Sequence, residues 1–257
     1  DLVEIGNDCW FAEDLRTTVN AAGDALILDT DFDYPNDDST LVEKLGLVYP
    51  FDVAMEVCPT GWHLASDNEW SAAEVAHGMS ESDAYDVESA WRGEVELIGL
   101  KMRDGSSPVY LNESDTVRIF IGTNDLGMSL RSEYGFRWGS GWEDVEKKRA
   151  YWWTGSFEED EITTGNKVYR RFLANDTDNR LSIHRTVVHI NTSLPMSKAR
   201  CVRDGRTAAQ RVKLDGSGPC EGVASYTYAG HSYDLVEIGN DCWFAEDLRT
   251  TVNAAGD

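Results

Sequence analysis

The side chains with the most evident chemistry in this chain are its cysteines, at Cys9, Cys58, Cys201, Cys220 and Cys242. None stands in the close pair spacing of a structural zinc site, and no histidine lies at ligand spacing beside them, so disulfide formation is the expected chemistry. Disulfides persist in oxidising compartments, which implies an extracellular or cell-surface location. A second candidate is the acidic run DTDFDYPNDD at residues 29–38, with Asp29, Asp31, Asp33, Asp37 and Asp38. Such oxygen-rich loops can coordinate calcium, the one cofactor the sequence raises. The glycine and terminal glutamate of a helix-loop-helix calcium site are absent, however, so a solvated acidic loop is the plainer reading.

A third candidate is aromatic. Trp138, Trp142, Tyr134 and Tyr151, among several Asp and Asn residues, could stack a sugar ring and bond its hydroxyls. The adjacent Trp152 and Trp153 argue for packing instead, because in a strand one of them must face inward. Asn112, Asn175 and Asn191 each open a glycosylation triplet, a short pattern that also arises by chance. His63, His77, His184 and His189 are scattered, and none stands in a motif with a nucleophile and an orienting acid. No enzyme is expected.

Composition narrows the partners. With 46 acidic against 23 basic residues the formal net charge is −23, a surface that repels nucleic acid and anionic membranes and favours solubility. No apolar run reaches the roughly 18 residues that a spanning helix needs, so no membrane insertion is expected.

The elements that must position these groups belong to a periodic chain. Residues 1–24 recur letter for letter as residues 234–257, an offset of 233. Chance does not produce such a match and divergence erases it between old duplicates, so the chain reads as a window on a polymer of identical modules. Cys9 and Cys242 are one position in two copies, which leaves four cysteines per period. Ahead of the second copy stands CEGVASYTYAGHSY, and residues 225–228 and 233–238 form two alternating runs around 229–232, a hairpin signal. The first copy begins in the middle of such a hairpin, so its partner strand is expected from a neighbouring module or another chain, an exposed edge inviting pairing. Cys220 and Cys242 flank the hairpin and come within bridging reach, leaving Cys9 without a partner in its own module.

Between the copies, helices are expected at 51–56, at 68–77 behind a capping box of Ser66 and Glu69, and at 83–91. Short strands then follow at 117–121, 134–138, 151–154, 168–173, 181–184, 186–190 and 200–202, with the long loops between 93 and 166. Helices in the first half and strands in the second predict an α+β domain over residues 1–205, a polar linker over 206–219, and the start of the next repeat over 220–257.

The stretch Cys58-Pro-Thr-Gly-Trp-His-Leu-Ala-Ser-Asp-Asn-Glu-Trp resembles the Fibrobacter succinogenes major paralogous domain. So do Ile5-Gly-Asn-Asp-Cys-Trp-Phe-Ala-Glu-Asp-Leu-Arg-Thr-Thr, Gly122-Thr-Asn-Asp-Leu-Gly, Tyr151-Trp-Trp-Thr-Gly-Ser and Ala199-Arg-Cys-Val-Arg-Asp, five blocks in order across residues 1–204. One departure is Ala65, where the family usually has proline. More distantly, the chain is similar to C-type lectin-like and formylglycine-generating sulfatase-modifying proteins. That likeness implies a C-type lectin-like α+β fold with paired first and last strands, and a disulfide from Cys58 to Cys201. Oxidase chemistry like that of the sulfatase-modifying relatives would need a reactive cysteine pair near the closing strand, where only Cys201 lies. The expected function is therefore a structural module of an extracellular bacterial fibre or surface array, whose partners are identical neighbours. The alternative is a secreted glycan-binding, lectin-like adhesin module.

Overall fold

The computed structural model describes residues 1–88, 90–106, 109–113, 116–132, 136–138, 141–143, 149–160, 165–174, 181–190, 195–204, 225–228, 231–238 and 241–245. They belong to two compact units, Asp1–Asp204 and Gly205–Asp257. Unit 1 opens with a hairpin of β1 (Leu2–Ile5) and β2 (Asp8–Phe11), turned at Gly6, whose φ of 61° suits a residue without Cβ. Short helices follow, α1 (Val42–Leu45) and α2 (Phe51–Ala54), then β3 (Trp62–Leu64) and α3 (Asp67–Ala76). The capping box forms: Ser66 accepts from the Glu69 amide and Glu69 accepts from the Ser66 amide. Helices α2 and α3 thus lie within a residue or two of the spans that capping and periodicity predict.

The third expected helix, 83–91, is a correction. Only α4 (Glu81–Ala84) is helical, and β4 (Ala90–Arg92) is a strand. Tertiary pairing overrides the local pattern here. Asp86 accepts from the Glu88 amide at 2.9 Å, Arg185 donates to the Val87 carbonyl, and Trp91 packs on Phe172 and His184 with ring centroids 4.8 and 4.9 Å apart.

After α5 (Ile98–Lys101) the chain is antiparallel strand: β5 (Val109–Glu113), β6 (Thr116–Phe120), β7 (Phe136–Trp138), β8 (Gly141–Glu143), β9 (Ala150–Asp160), β10 (Gly165–Leu173), β11 (Ile183–Ile190), β12 (Pro195–Met196) and β13 (Cys201–Arg203). Strands β6, β7 and β9 fall on the expected runs 117–121, 134–138 and 151–154, β5 and β8 are additional, and the runs 181–184 and 186–190 belong to one strand. Unit 2 carries β14 (Ser225–Tyr228), β15 (His231–Ile238) and β16 (Asp241–Phe244).

Unit 1 is a mixed helix and sheet structure built on two four-stranded sheets, ordered β1-β2-β13-β3 and β4-β11-β10-β9. The closing strand β13 lies between β2 and β3, so the two ends of the unit meet in one sheet. Cys58 and Cys201 are bonded with Cα atoms 5.8 Å apart. Strand β9 runs between two cores. Trp152 belongs to one with Trp10, Trp70 and Val202, and Trp153 to the other with Phe51, Cys58 and Cys201. Alternation sends adjacent tryptophans to opposite faces, and here both faces are buried.

Helix α3 is tied to the second sheet by charge. Arg171 donates to Glu74 at 2.6 Å and to Asp67, Arg92 lies 2.8 Å from Glu74, and Arg185 lies 2.9 Å from Asp67. Burial pushes the Asp67 carboxyl up, but Arg171 and Arg185 outweigh it and hold the group below its usual range. A buried network of this kind fixes one helix register, because each misplacement strands a charge.

Candidate functional site

The repeated stretch appears twice in the structure, and its two copies differ in what surrounds them. In unit 1 the hairpin is seated. Trp10 is 0 % exposed and meets Trp70 edge-on, with centroids 5.3 Å apart. Val202 of β13 pairs with Trp10 along the backbone, and Ile5 and Val3 pack into the same core. Just beyond β2, the buried Asp14 accepts from Trp152 Nε1 at 2.8 Å, from Lys198 Nζ at 3.1 Å and from Arg200 Nε at 2.8 Å. Burial works against its negative charge, but Arg200 and Lys198, with the indole hydrogen bond, outweigh it and hold the carboxyl below its usual range.

Arg200 completes the seat. Its guanidinium also donates to the carbonyls of Phe11 at 3.2 Å, Ala12 at 3.0 Å and Met128. The Leu15 amide bonds Ala199 O at 3.1 Å. Gly46, at a φ of 74°, passes so close that a Cβ there would lie 2.7 Å from Asp14 Cβ. Residues 1–15 are thus held by backbone pairing, by the edge-on and tilted packing of Trp10, Trp70 and Trp152, and by one buried carboxylate between two cations.

In unit 2 the same letters form the same hairpin. The register Leu235↔Phe244, Val236↔Trp243, Glu237↔Cys242, Ile238↔Asp241 repeats Leu2↔Phe11, Val3↔Trp10, Glu4↔Cys9, Ile5↔Asp8 pair for pair. Here Trp243 is 54 % and Val236 39 % exposed, and Ala245 is exposed where Ala12 is buried. The same letters give the same hairpin and register in both surroundings. Strand β14 pairs with residues 231–234 across the expected hairpin and meets the repeated letters at Asp234. In unit 1, β1 lies at the edge of its sheet, with β2 as its neighbour.

The other candidate residues are placed as follows. Cys9 is a half-buried free thiol. Cys220 and the side chain of Cys242 lie outside the described residues. The five loop aspartates do not converge. Asp33 is buried in an ion pair with Arg137, Asp29 lies 3.6 Å from the same guanidinium, Asp31 accepts from the Ile27 amide at 2.8 Å, and Asp38 caps Thr40 at 2.8 Å, with Asp37 exposed. Among the described residues no group of three or more His, Cys, Asp or Glu is arranged to hold a metal ion. The calcium expectation thus finds no ligand set there.

Tyr151 is a further correction: it is 5 % exposed, lies 4.7 Å from Phe172 by ring centroids, and has the Arg170 guanidinium 4.7 Å above it. It is core, because β9 is covered on both faces. Trp138 and Trp142 lie on the β7–β8 hairpin, where Trp142 pairs with Arg137; their side chains, and Tyr134, fall outside the described residues. Asn112 is on β5, its side chain outside them, as are Asn175 and Asn191 altogether. His63, by contrast, links α3 to the residue after β13, with Nε2 2.8 Å from Glu69 and Nδ1 2.6 Å from Asp204.

Two grooves of about 380 and 270 Å³ flank Glu13, Asp14 and Arg16. Arg16 is engaged by Glu13 at 2.5 Å and Glu43 at 2.8 Å, and Arg131 by Asp104 at 3.3 Å, so this surface is of paired charge. Sequence reasoning missed Asp14, Lys198 and Arg200. Their signal was charge set among apolar residues at each end of the unit, in Ala12-Glu-Asp-Leu and Lys198-Ala-Arg-Cys-Val.

The family model described as the Fibrobacter succinogenes major domain matches residues 3–203. No curated protein and no solved structure matches the chain.

Proposed function

This chain belongs to the Fibrobacter succinogenes major domain family, and from that premise we propose that it is a structural module of an extracellular bacterial fibre or surface array built from identical repeats. The observation that carries this reading is the repeat itself: residues 1–24 recur letter for letter as residues 234–257, and both copies form one hairpin in one register. Identical modules joined in one direction make heterologous contacts, which propagate head to tail.

The Cys58–Cys201 disulfide fits an oxidising location outside the cytoplasm. The fold reads as C-type lectin-like: β2 and β13, from the two ends of the unit, pair, and the second half is long and strand-rich. The rival glycan-binding reading loses Tyr151 to the core. Sedimentation velocity on the 257-residue chain across a hundredfold range of concentration tests the proposal. Mass growing in steps of one chain is expected; one chain mass throughout, with binding on a glycan array, would favour the lectin.

A further inference from the structure

The imidazole of His63 stands between two carboxylates. Its Nε2 lies 2.8 and 3.0 Å from the two Glu69 oxygens, and its Nδ1 lies 2.6 Å from Asp204 Oδ1. A neutral imidazole offers one N–H and one lone pair, whereas an ionised carboxylate can only accept. Contacts this short at both nitrogens therefore need a proton on each, and the geometry is that of an imidazolium.

The neighbouring charges are spoken for elsewhere. On α3, Asp67 is held by Arg171 and Arg185, and Glu74 by Arg171 and Arg92. Strand β9 adjoins the end of β3, where Gly155 donates to the Ala65 carbonyl, and Glu158 on that strand is held by Lys167 and Tyr169. On β13, Arg203 lies over Trp62, 5.1 Å from the ring centroid, and alternation along β3 puts Trp62 on the face opposite His63. The two groups that bond the ring are both negative.

The two links differ in what surrounds them. The Glu69 side chain is 9 % exposed and also accepts from the Ser66 amide and hydroxyl at 2.7 Å each. The Asp204 side chain is 47 % exposed, and Asp204 is the last residue of unit 1. Stranding a buried carboxylate costs more than returning an exposed one to water, so the proton that leaves is the one on Nδ1. We propose that His63 is a proton-operated latch on the end of unit 1: the imidazolium ties Asp204 to α3, and the neutral ring keeps Glu69 and lets Asp204 go. The latch belongs to the single unit and does not rest on the assembly proposed above.

The Glu69 carboxyl bears this out. Burial works against its charge, but the bond and positive charge of His63, with the Ser66 donors, outweigh it and hold the group below its usual range. That attraction is mutual, so the same contact retains the proton on the ring. The tie is complete below the ordinary imidazole value of about 6.5 and is lost as pH rises through a higher folded midpoint.

Nuclear magnetic resonance of the full chain between pH 5 and 9 tests it. The His63 ring is expected to titrate above about 6.5, and the Asp204 amide, which donates to the Gly61 carbonyl at 2.8 Å, to shift with the same midpoint. Asp204→Asn leaves the α3 side of the ring in place and should lower the ring's midpoint by roughly half a unit, the scale of a half-exposed ion pair. Should that variant fail to fold, Asp204→Glu should keep the coupled titration of ring and amide. A ring midpoint at or below about 6.5, an unchanged midpoint in Asp204→Asn, or an Asp204 amide indifferent to the ring would each overturn the latch.

Discussion

Because one residue occurs twice in one register, this chain contains its own control for the value of burial. Trp10 and Trp243 have identical neighbours in sequence, but the first is 0 % and the second 54 % exposed. Truncating a buried tryptophan to alanine costs about 3 to 5 kcal/mol, through lost transfer energy and the cavity left behind. The lower end applies to Trp10, whose Nε1 is buried without a hydrogen-bond partner, so that removing it also removes an unsatisfied donor. Trp10→Ala should therefore destabilise unit 1 by about 3 kcal/mol, and Trp243→Ala by under about 1 kcal/mol. For a unit of this size that is a fall in Tm of roughly 6 to 12 °C against 4 °C at most. Urea unfolding followed by near-ultraviolet circular dichroism at low protein concentration, where association does not contribute, reads both variants. Equal shifts, or a larger one for Trp243→Ala, would refute the assignment of Trp10 to the core of unit 1.

Other outcomes follow from the same interactions. Replacing Cys58 and Cys201 together by serine opens a link with a sequence separation of 143, worth about 5 kcal/mol in chain entropy, and chemical denaturation should show most of that loss. Asp14→Asn leaves Lys198 and Arg200 buried without their counter-charge and should cost about 3 to 5 kcal/mol by urea unfolding at pH 7. The carboxyls of Asp14, Asp67 and Glu69 are all held below their ordinary values of 3.8, 3.8 and 4.5, so the unfolded chain binds more protons in acid. Their stabilisation is complete above about pH 5 and is lost as pH falls through the depressed folded values; a pH titration of unfolding should show that limb, shallower in Asp14→Asn. Ser66→Ala removes the α3 cap and should cost about 1 kcal/mol in the same assay.

What the sequence made legible is what local chemistry determines. The Ser66 and Glu69 capping box fixes the start of α3 within a residue, since both partners lie within one turn. The hairpin of the repeated stretch forms twice in the same register, which shows that its residues suffice for it. The bond from Cys58 to Cys201 was reachable through family resemblance, because it joins two motif blocks that a single chain reading cannot bring together. Residues 83–91 were misread because Tyr85, Ala90 and Trp91 suit a helical stripe, while β11 and the aromatic ring of Phe172 and His184 offer the strand more. The seat itself was out of reach. Asp14 lies more than 180 residues from Lys198 and Arg200 along the chain, and a buried charge signals a partner without saying where it is.

The central claim is that identical modules assemble through the repeated hairpin, and electron microscopy of the native material tests it most directly. The account predicts filaments or a regular array with one repeat for each 233-residue period, broken up by Trp243→Ala. Isolated particles the size of unit 1 at every concentration, or filaments that Trp243→Ala leaves intact, would contradict it.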